Sequence, residues 1–209
     1  MRTATVDNHL AALLGRMMSA DQNGFDTRLP ALFVFSARSI EQRFEIVRKM
    51  FLLRCEPAFA MPRNSNVRRA AEFAEKVMNV VFANVGAHRW IRNVAAHGTM
   101  IHTDAMTAII PAMFDHEGQK KFFERGKAYK DGLTLELLKE ASETAMFDLL
   151  CLSKLGNVLW TLFEMRDDPK EFVEQANGLA QDLKLSKINL RDPREGPPPR
   201  RRKQNPPTP

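Results

Sequence analysis

With 209 residues, 44% of them hydrophobic and 27% charged, the chain can bury a sizeable core and has the composition of a soluble globular protein rather than a disordered or collagen-like one. Phe and Met are plentiful, Gly is modest and alternating Val/Ile/Thr runs are scarce, which favours helices. The net charge of +6 sits at one end: from Lys184 onward eight Lys/Arg stand against two acids, so the rest balances and a basic fold is excluded.

In chain order, residues 5–20 carry Leu10, Leu13, Leu14, Met17 and Met18 at helical spacing. Asp7 and Arg16 flank this patch and no signal-type cleavage site follows, so it reads as a helix rather than an export signal. Asp21-Gln22-Asn23-Gly24 ends it, and Arg28-Leu29-Pro30 reads as connector. Ser39 with Gln42 three residues on is a capping-box signature. It opens a helix bearing Ile40, Phe44, Val47, Met50, Phe51 and Arg54 down to Glu56-Pro57. A loop to Asn66 precedes a second long helix to about Asn84, with Val67, Ala70, Ala71, Ala74, Val77, Met78 and Val81 inward. Gly86 leaves open whether that helix continues or kinks.

From Ala87 to His97 a helical reading splits the residues into two arcs. Ala87, Trp90, Ile91, Val94 and Ala95 form one; His88, Arg89, Arg92, Asn93, Ala96 and His97 form the other, with Gly98 as a stop signal. Such a polar arc suits a phosphodiester, and it also suits an ordinary solvated helix face. Ala105–Phe114 and Lys121–Tyr129, separated by Asp115-His116-Glu117-Gly118, read as a two-stranded hairpin with a loop of about four residues.

Leu133 or Thr134 starts the longest helix, Leu135 to about Met165, with Leu138, Ala141, Ala145, Leu149, Leu152, Leu155, Leu159, Leu162 and Phe163 as its apolar stripe. Asp148 and Lys154 interrupt its most hydrophobic run, which marks a core helix rather than a membrane span. Asp168-Pro169 places Pro at the first position of a last helix to about Leu183. Beyond it the Pro-rich, basic sequence is expected to be disordered. The organisation expected is therefore an N-terminal helix and connector over 1–30, a helical domain over 31–183 and a tail over 184–209. Cys55 and Cys151 both fall in apolar stripes without metal spacing, as reduced core residues of a cytoplasmic protein would.

A helical chain whose central helix ends in Arg92-Asn93-x-x-x-His97, followed by Gly98, resembles the HEPN superfamily of small helical domains, many of which are metal-independent RNases. The family motif is an Arg, four to six intervening residues and then a His, with a polar residue, often Asn, directly after the Arg. The start Leu133-Thr134-Leu135-Glu136 also looks like members of the superfamily, and the likeness spans about residues 36–165. Arg-x4-His alone would occur by chance roughly 0.5 times in this composition; requiring Asn after the Arg brings that to roughly 0.02. Arg2 and His9 satisfy the loose spacing without that context.

The resemblance implies an all-α, HEPN-like bundle and an endoribonuclease using the RNA 2′-hydroxyl as nucleophile, with Arg92, Asn93 and His97 catalytic and no cofactor or metal. A His can move protons and an Arg fork can hold phosphate charge. Arg89 and His88 would add phosphate contacts, and the tail cations Arg200, Arg201, Arg202 and Lys203 would bind RNA. Members pair two protomers so that two motifs line one cleft, which implies a homodimer. Toxin or defence roles, with an antitoxin or regulatory protein partner, belong to the same superfamily. The Tyr that some toxin members place just after the motif His is absent here, where Gly98, Thr99 and Met100 stand. That departure speaks against the toxin branch and its nucleotidyltransferase partner.

Two other readings remain. His97, His102, Asp104 and His116 are metal-type ligands, although their spacing matches no tight motif. A non-catalytic helical binding module whose basic tail clings to nucleic acid would also fit, though no aromatic lies among the tail cations for base stacking.

Overall fold

The computed structural model describes residues 2–18, 28–87, 99–102, 107–110, 133–165 and 168–190. Over these the protein is mainly helical: α1 (Arg2–Met18), α2 (Arg28–Ser36), α3 (Ile40–Ala60), α4 (Asn66–Ala87), α5 (Leu135–Glu164) and α6 (Lys170–Asp182), with β1 (Thr99–His102), β2 (Thr107–Ile110) and β3 (Leu133–Thr134) between α4 and α5.

Local chemistry sets most helix starts. Ser39 caps α3 as a full capping box, its hydroxyl accepting from the Gln42 N–H while the Gln42 side chain accepts from the Ser39 N–H. Thr134 caps α5 by accepting from the Leu137 N–H. Lys170 N–H donates to the Asp168 carboxylate, and Pro169 is the cap itself, one position before the expected first helical residue.

Two boundaries differ from expectation. Arg28-Leu29-Pro30 is the first turn of α2 rather than connector. A first-turn N–H has no intrahelical acceptor, so Pro30 costs that turn nothing. Helix α3 runs through Pro57 to Ala60; the missing N–H leaves only the Leu53 carbonyl without its helical donor, and Leu53 is on the exposed face. Helix α4 includes Gly86 and is described as far as Ala87.

The β element is also placed differently. β2 lies in the first expected strand, but it pairs antiparallel with β1 upstream (Thr99 opposite Ile110, His102 opposite Thr107) and with β3 on its other edge (Ile109 opposite Leu133). Both edges of β2 are thus taken by strands other than the expected partner, and the expected turn at residues 115–118 lies outside the described residues. The second expected strand, residues 121–129, lies outside the described residues.

One core joins all six helices. Leu10, Leu13, Leu14 and Met17 of α1 are buried with Val34, Val47, Phe51, Val77, Met78, Leu155, Leu159 and Phe172. Helix α1 is therefore part of the domain, not an appendage to one beginning at residue 31. Asp7 of α1, itself buried, meets the Arg43 guanidinium of α3 at 2.6 Å, and Arg43 also donates to the Ala37 carbonyl. Removing either partner would strand the other charge, at about 3–5 kcal/mol. Gly156 lets Arg16 lie across α5 and donate to Asn157; a Cβ there would sit 2.5 Å from the Arg16 Nη1. Helix α5 is long and apolar enough to cross a membrane by length and composition, yet from Asp148 onward it is a core helix, and Lys154 within it pairs with Asp182 of α6.

The chain does not leave the fold at Leu183. Lys184 takes φ 55°, its N–H donating to the Gln181 carbonyl and the Leu185 N–H to the Ala180 carbonyl, a complete Schellman turn with Lys where Gly is usual. Residues 185–190 then run on, outside helix and strand, as a strap. Asn177 of α6 pairs with Ile188 in both directions: the Ile188 N–H donates to Oδ1 at 2.7 Å, and Nδ2 donates to the Ile188 carbonyl at 3.0 Å. Arg69 of α4 donates to the Asn189 carbonyl, and Ile188 and Leu190 are buried. The expected tail thus begins after Leu190, not at residue 184; residues 191–209 lie outside the described residues.

Candidate functional site

The motif-bearing residues His88, Arg89, Arg92, Asn93 and His97, and the tail cations Arg200, Arg201, Arg202 and Lys203, lie outside the described residues. What the structure gives is the frame on either side of them. Residues 88–98 join the last residue of α4, Ala87, to the first of β1, Thr99.

Contacts along the bundle locate that junction. Phe44 near the start of α3 stacks on Phe82 near the end of α4, ring centroids 4.5 Å apart. The guanidinium of Arg54, late in α3, lies 5.6 Å from the ring centroid of Phe163, late in α5. Helices α3 and α5 therefore run the same way and α4 runs against both. The C-terminus of α4 lies at the end of the bundle where α3 begins; α5 starts on the same side, but counted back from Phe163 at 1.5 Å per residue its first turn lies about 20 Å beyond the start of α3. The sheet that receives the chain after residue 98 returns it, through β3, into that same α5 N-terminus.

The scaffold at this end is well fixed. Phe44 also comes within 3.8 Å of where a Gly86 side chain would begin, so α3 braces the last turn of α4. At the start of α5 the Glu136 carboxyl accepts from its own backbone N–H and from the Thr134 hydroxyl, which hold it below the ordinary carboxylate range.

The tail is rooted elsewhere. Arg69, which holds the strap at Asn189, lies in the first turn of α4, whereas the motif follows its last. At 1.5 Å per residue the two roots are about 27 Å apart. The structure therefore does not bring the beginning of the tail to the motif. Nine residues lie between Leu190 and Arg200, ten Cα steps with an extended reach of about 35 Å, so the tail cations have enough chain to span α4.

The other residues weighed from sequence are placed as follows. His9 lies part-buried on α1, and Arg2 begins the same helix. His102 closes β1, while Asp104 and His116 lie outside the described residues. Among the described residues no three His, Cys, Asp or Glu side chains are grouped to hold a metal. Cys55 and Cys151 are free and buried, and burial pushes their thiols up to about 12 and about 11, far from thiolates at neutral pH. A structural residue that sequence reasoning missed is Asn177, whose amide anchors the strap; its partner lies eleven residues away, with no local pattern to announce it.

Compared with protein-family models, with curated proteins and with solved structures, the chain matches none.

Proposed function

We propose that the chain is a metal-independent endoribonuclease of HEPN type, acting on RNA as a homodimer with Arg92, Asn93 and His97 near the two-fold axis. The observation that carries this reading is the run Arg92-Asn93-x-x-x-His97-Gly98, directly after a long amphipathic helix in a mainly helical protein. It follows Ala87, the last described residue of a helix that Phe44 of α3 braces, which supports a site carried by a rigid element.

The chemistry needs no metal or cofactor. The RNA 2′-oxygen attacks the adjacent phosphorus as its proton is taken up, the bond from phosphorus to the 5′-oxygen breaks, and that oxygen receives a proton. His97 of one protomer or its mate moves protons, and Arg92 stabilises the equatorial charge of the phosphorane. Asn93 lies four residues before His97, one helical turn, and orients the ring or binds phosphate. His88 and Arg89 add phosphate contacts.

The test is cleavage of single-stranded RNA in EDTA, with a DNA of the same sequence alongside. RNA is cut to leave a 2′,3′-cyclic phosphate, and DNA, without the 2′-hydroxyl, is untouched. A second reading, a binding module without catalysis, is favoured by one observation: the whole net charge lies from Lys184 onward. Salt-sensitive RNA binding without cleavage, lost on deleting residues 191–209, would select it.

A further inference from the structure

The strap brings a cation from the basic end of the chain onto the fold. Ile188 and Leu190 are buried while Lys187 is exposed, and the Asn189 carbonyl two residues on accepts from Arg69 at 2.9 Å. From Arg69 one outer stripe of α4 runs through Phe73, Lys76, Val80 and Ala83 to Ala87, all within an arc of about 80°. Lys76, Ala83 and Ala87 are exposed, and Arg69, Phe73 and Val80 are part-buried. The stripe holds no acid. The two carboxylates of α4 lie beside it and are each met by an arginine, Glu72 by Arg68 at 2.8 Å and Glu75 by Arg48 at 3.8 Å. Among the described residues no carboxylate stands at ion-pair distance from Arg69, Lys76 or Lys187.

We propose that this stripe is a track for single-stranded RNA, with Lys187, Arg69 and Lys76 on phosphates and Phe73 against a base. Arg69 spends one N–H on the Asn189 carbonyl and keeps the rest of its fork for a phosphate. Arg69 and Lys76 stand about 10 Å apart along the helix, with the Phe73 ring between them. Cations that follow a backbone, interleaved with an aromatic that accepts any base, are the means by which proteins hold single strands. Beyond Lys76 the exposed positions are Ala83 and Ala87, whose methyl groups leave a strand unobstructed to the end of the helix. The track therefore leads about 27 Å along α4 to the residue before the motif, and the tail departs from its other end.

The track rests on the ribonuclease reading for its partner but needs no cleavage. Its test is binding of single-stranded 2′-O-methyl RNA, which has no free 2′-hydroxyl and cannot be cut, by fluorescence anisotropy over a salt series. Full-length Lys76→Gln/Lys187→Gln should lower the slope of log affinity against log salt by about 1.4, at about 0.7 per phosphate contact. Phe73→Leu should weaken binding about 5-fold or more with the slope unchanged. Lys49→Gln, on α3 where it pairs with Glu45, should bind like wild type, and circular dichroism checks the fold of each. A wild type that does not bind would overturn the proposal. So would an unchanged slope in the double variant, which would assign the contacts to the tail, or undiminished binding by Phe73→Leu. Equal loss in Lys49→Gln would also overturn it, as diffuse charge. The expected losses in a protein that cuts no RNA would uphold the track and refute catalysis alone; RNA cleavage with the slope unmoved would refute the track alone.

Discussion

Asn177→Ala removes the two hydrogen bonds that hold Ile188 and leaves α6 its best helix former. At about 0.5–1.5 kcal/mol net each, their loss costs about 1–3 kcal/mol. Burial of Ile188 and Leu190 returns about 1.5–3 kcal/mol apiece, while ordering each strap residue costs about 1–2 kcal/mol. Without Asn177 the strap is thus at or past balance, so it should detach while the bundle stays folded. Trypsin cleavage after Lys187, with hydrogen exchange at the Ile188 amide, reads this directly. Both should accelerate about 10- to 100-fold in the variant, with exchange in α3 and α4 unchanged. Equal protection in variant and wild type would refute the clamp; equal acceleration in α3 and α4 would show that the strap is not a separable unit.

The buried thiols set an alkaline limit. Unfolded thiols ionise near pH 9 but Cys151 and Cys55 hold their protons to about 11 and about 12, so the unfolded chain binds fewer protons across that window. Stability should fall there as pH rises, by about 1.4 kcal/mol per pH unit per thiol, and urea titrations should show this slope flattened in Cys55→Ala/Cys151→Ala. Lys184→Gly should relieve the left-handed backbone and stabilise by about 0.5–1 kcal/mol in the same assay. Gly86→Ala should stabilise α4 by up to about 1 kcal/mol, since its methyl meets Phe44 at ordinary contact distance; a raised melting temperature would confirm it.

Much of the fold was legible because its signals are local. Ser39–Gln42 and Thr134 cap the helices they announce, and the stripes Leu10–Met17 and Ala70–Val81 are buried as their spacing implies. What was misread depends on partners distant in sequence or on a missing period. Helix α2 shows no amphipathic alternation, because both its sides are apolar, and its Pro30 looks like a breaker. The tetrads Thr99–His102 and Thr107–Ile110 are only four residues each, too few for alternation to stand out beside Gly98. The strap looks like tail by composition and is held by an amide on α6. Of the site, the sequence displays the motif and the structure its frame: an α4 braced by Phe44 that delivers the chain to residue 88, and a sheet that takes it back at Thr99.

The central proposal comes down to single-turnover RNA cleavage in EDTA by wild type, His97→Ala, Arg92→Ala and the matched control Arg2→Ala/His9→Ala, each checked for folding by circular dichroism. Loss of the proton-transfer group should slow cleavage by about 10²–10⁴, loss of the phosphate fork by about 10²–10³, and the control should cut like wild type. Cleavage that survives His97→Ala undiminished, or an RNA left whole by a well-folded wild type, would contradict it.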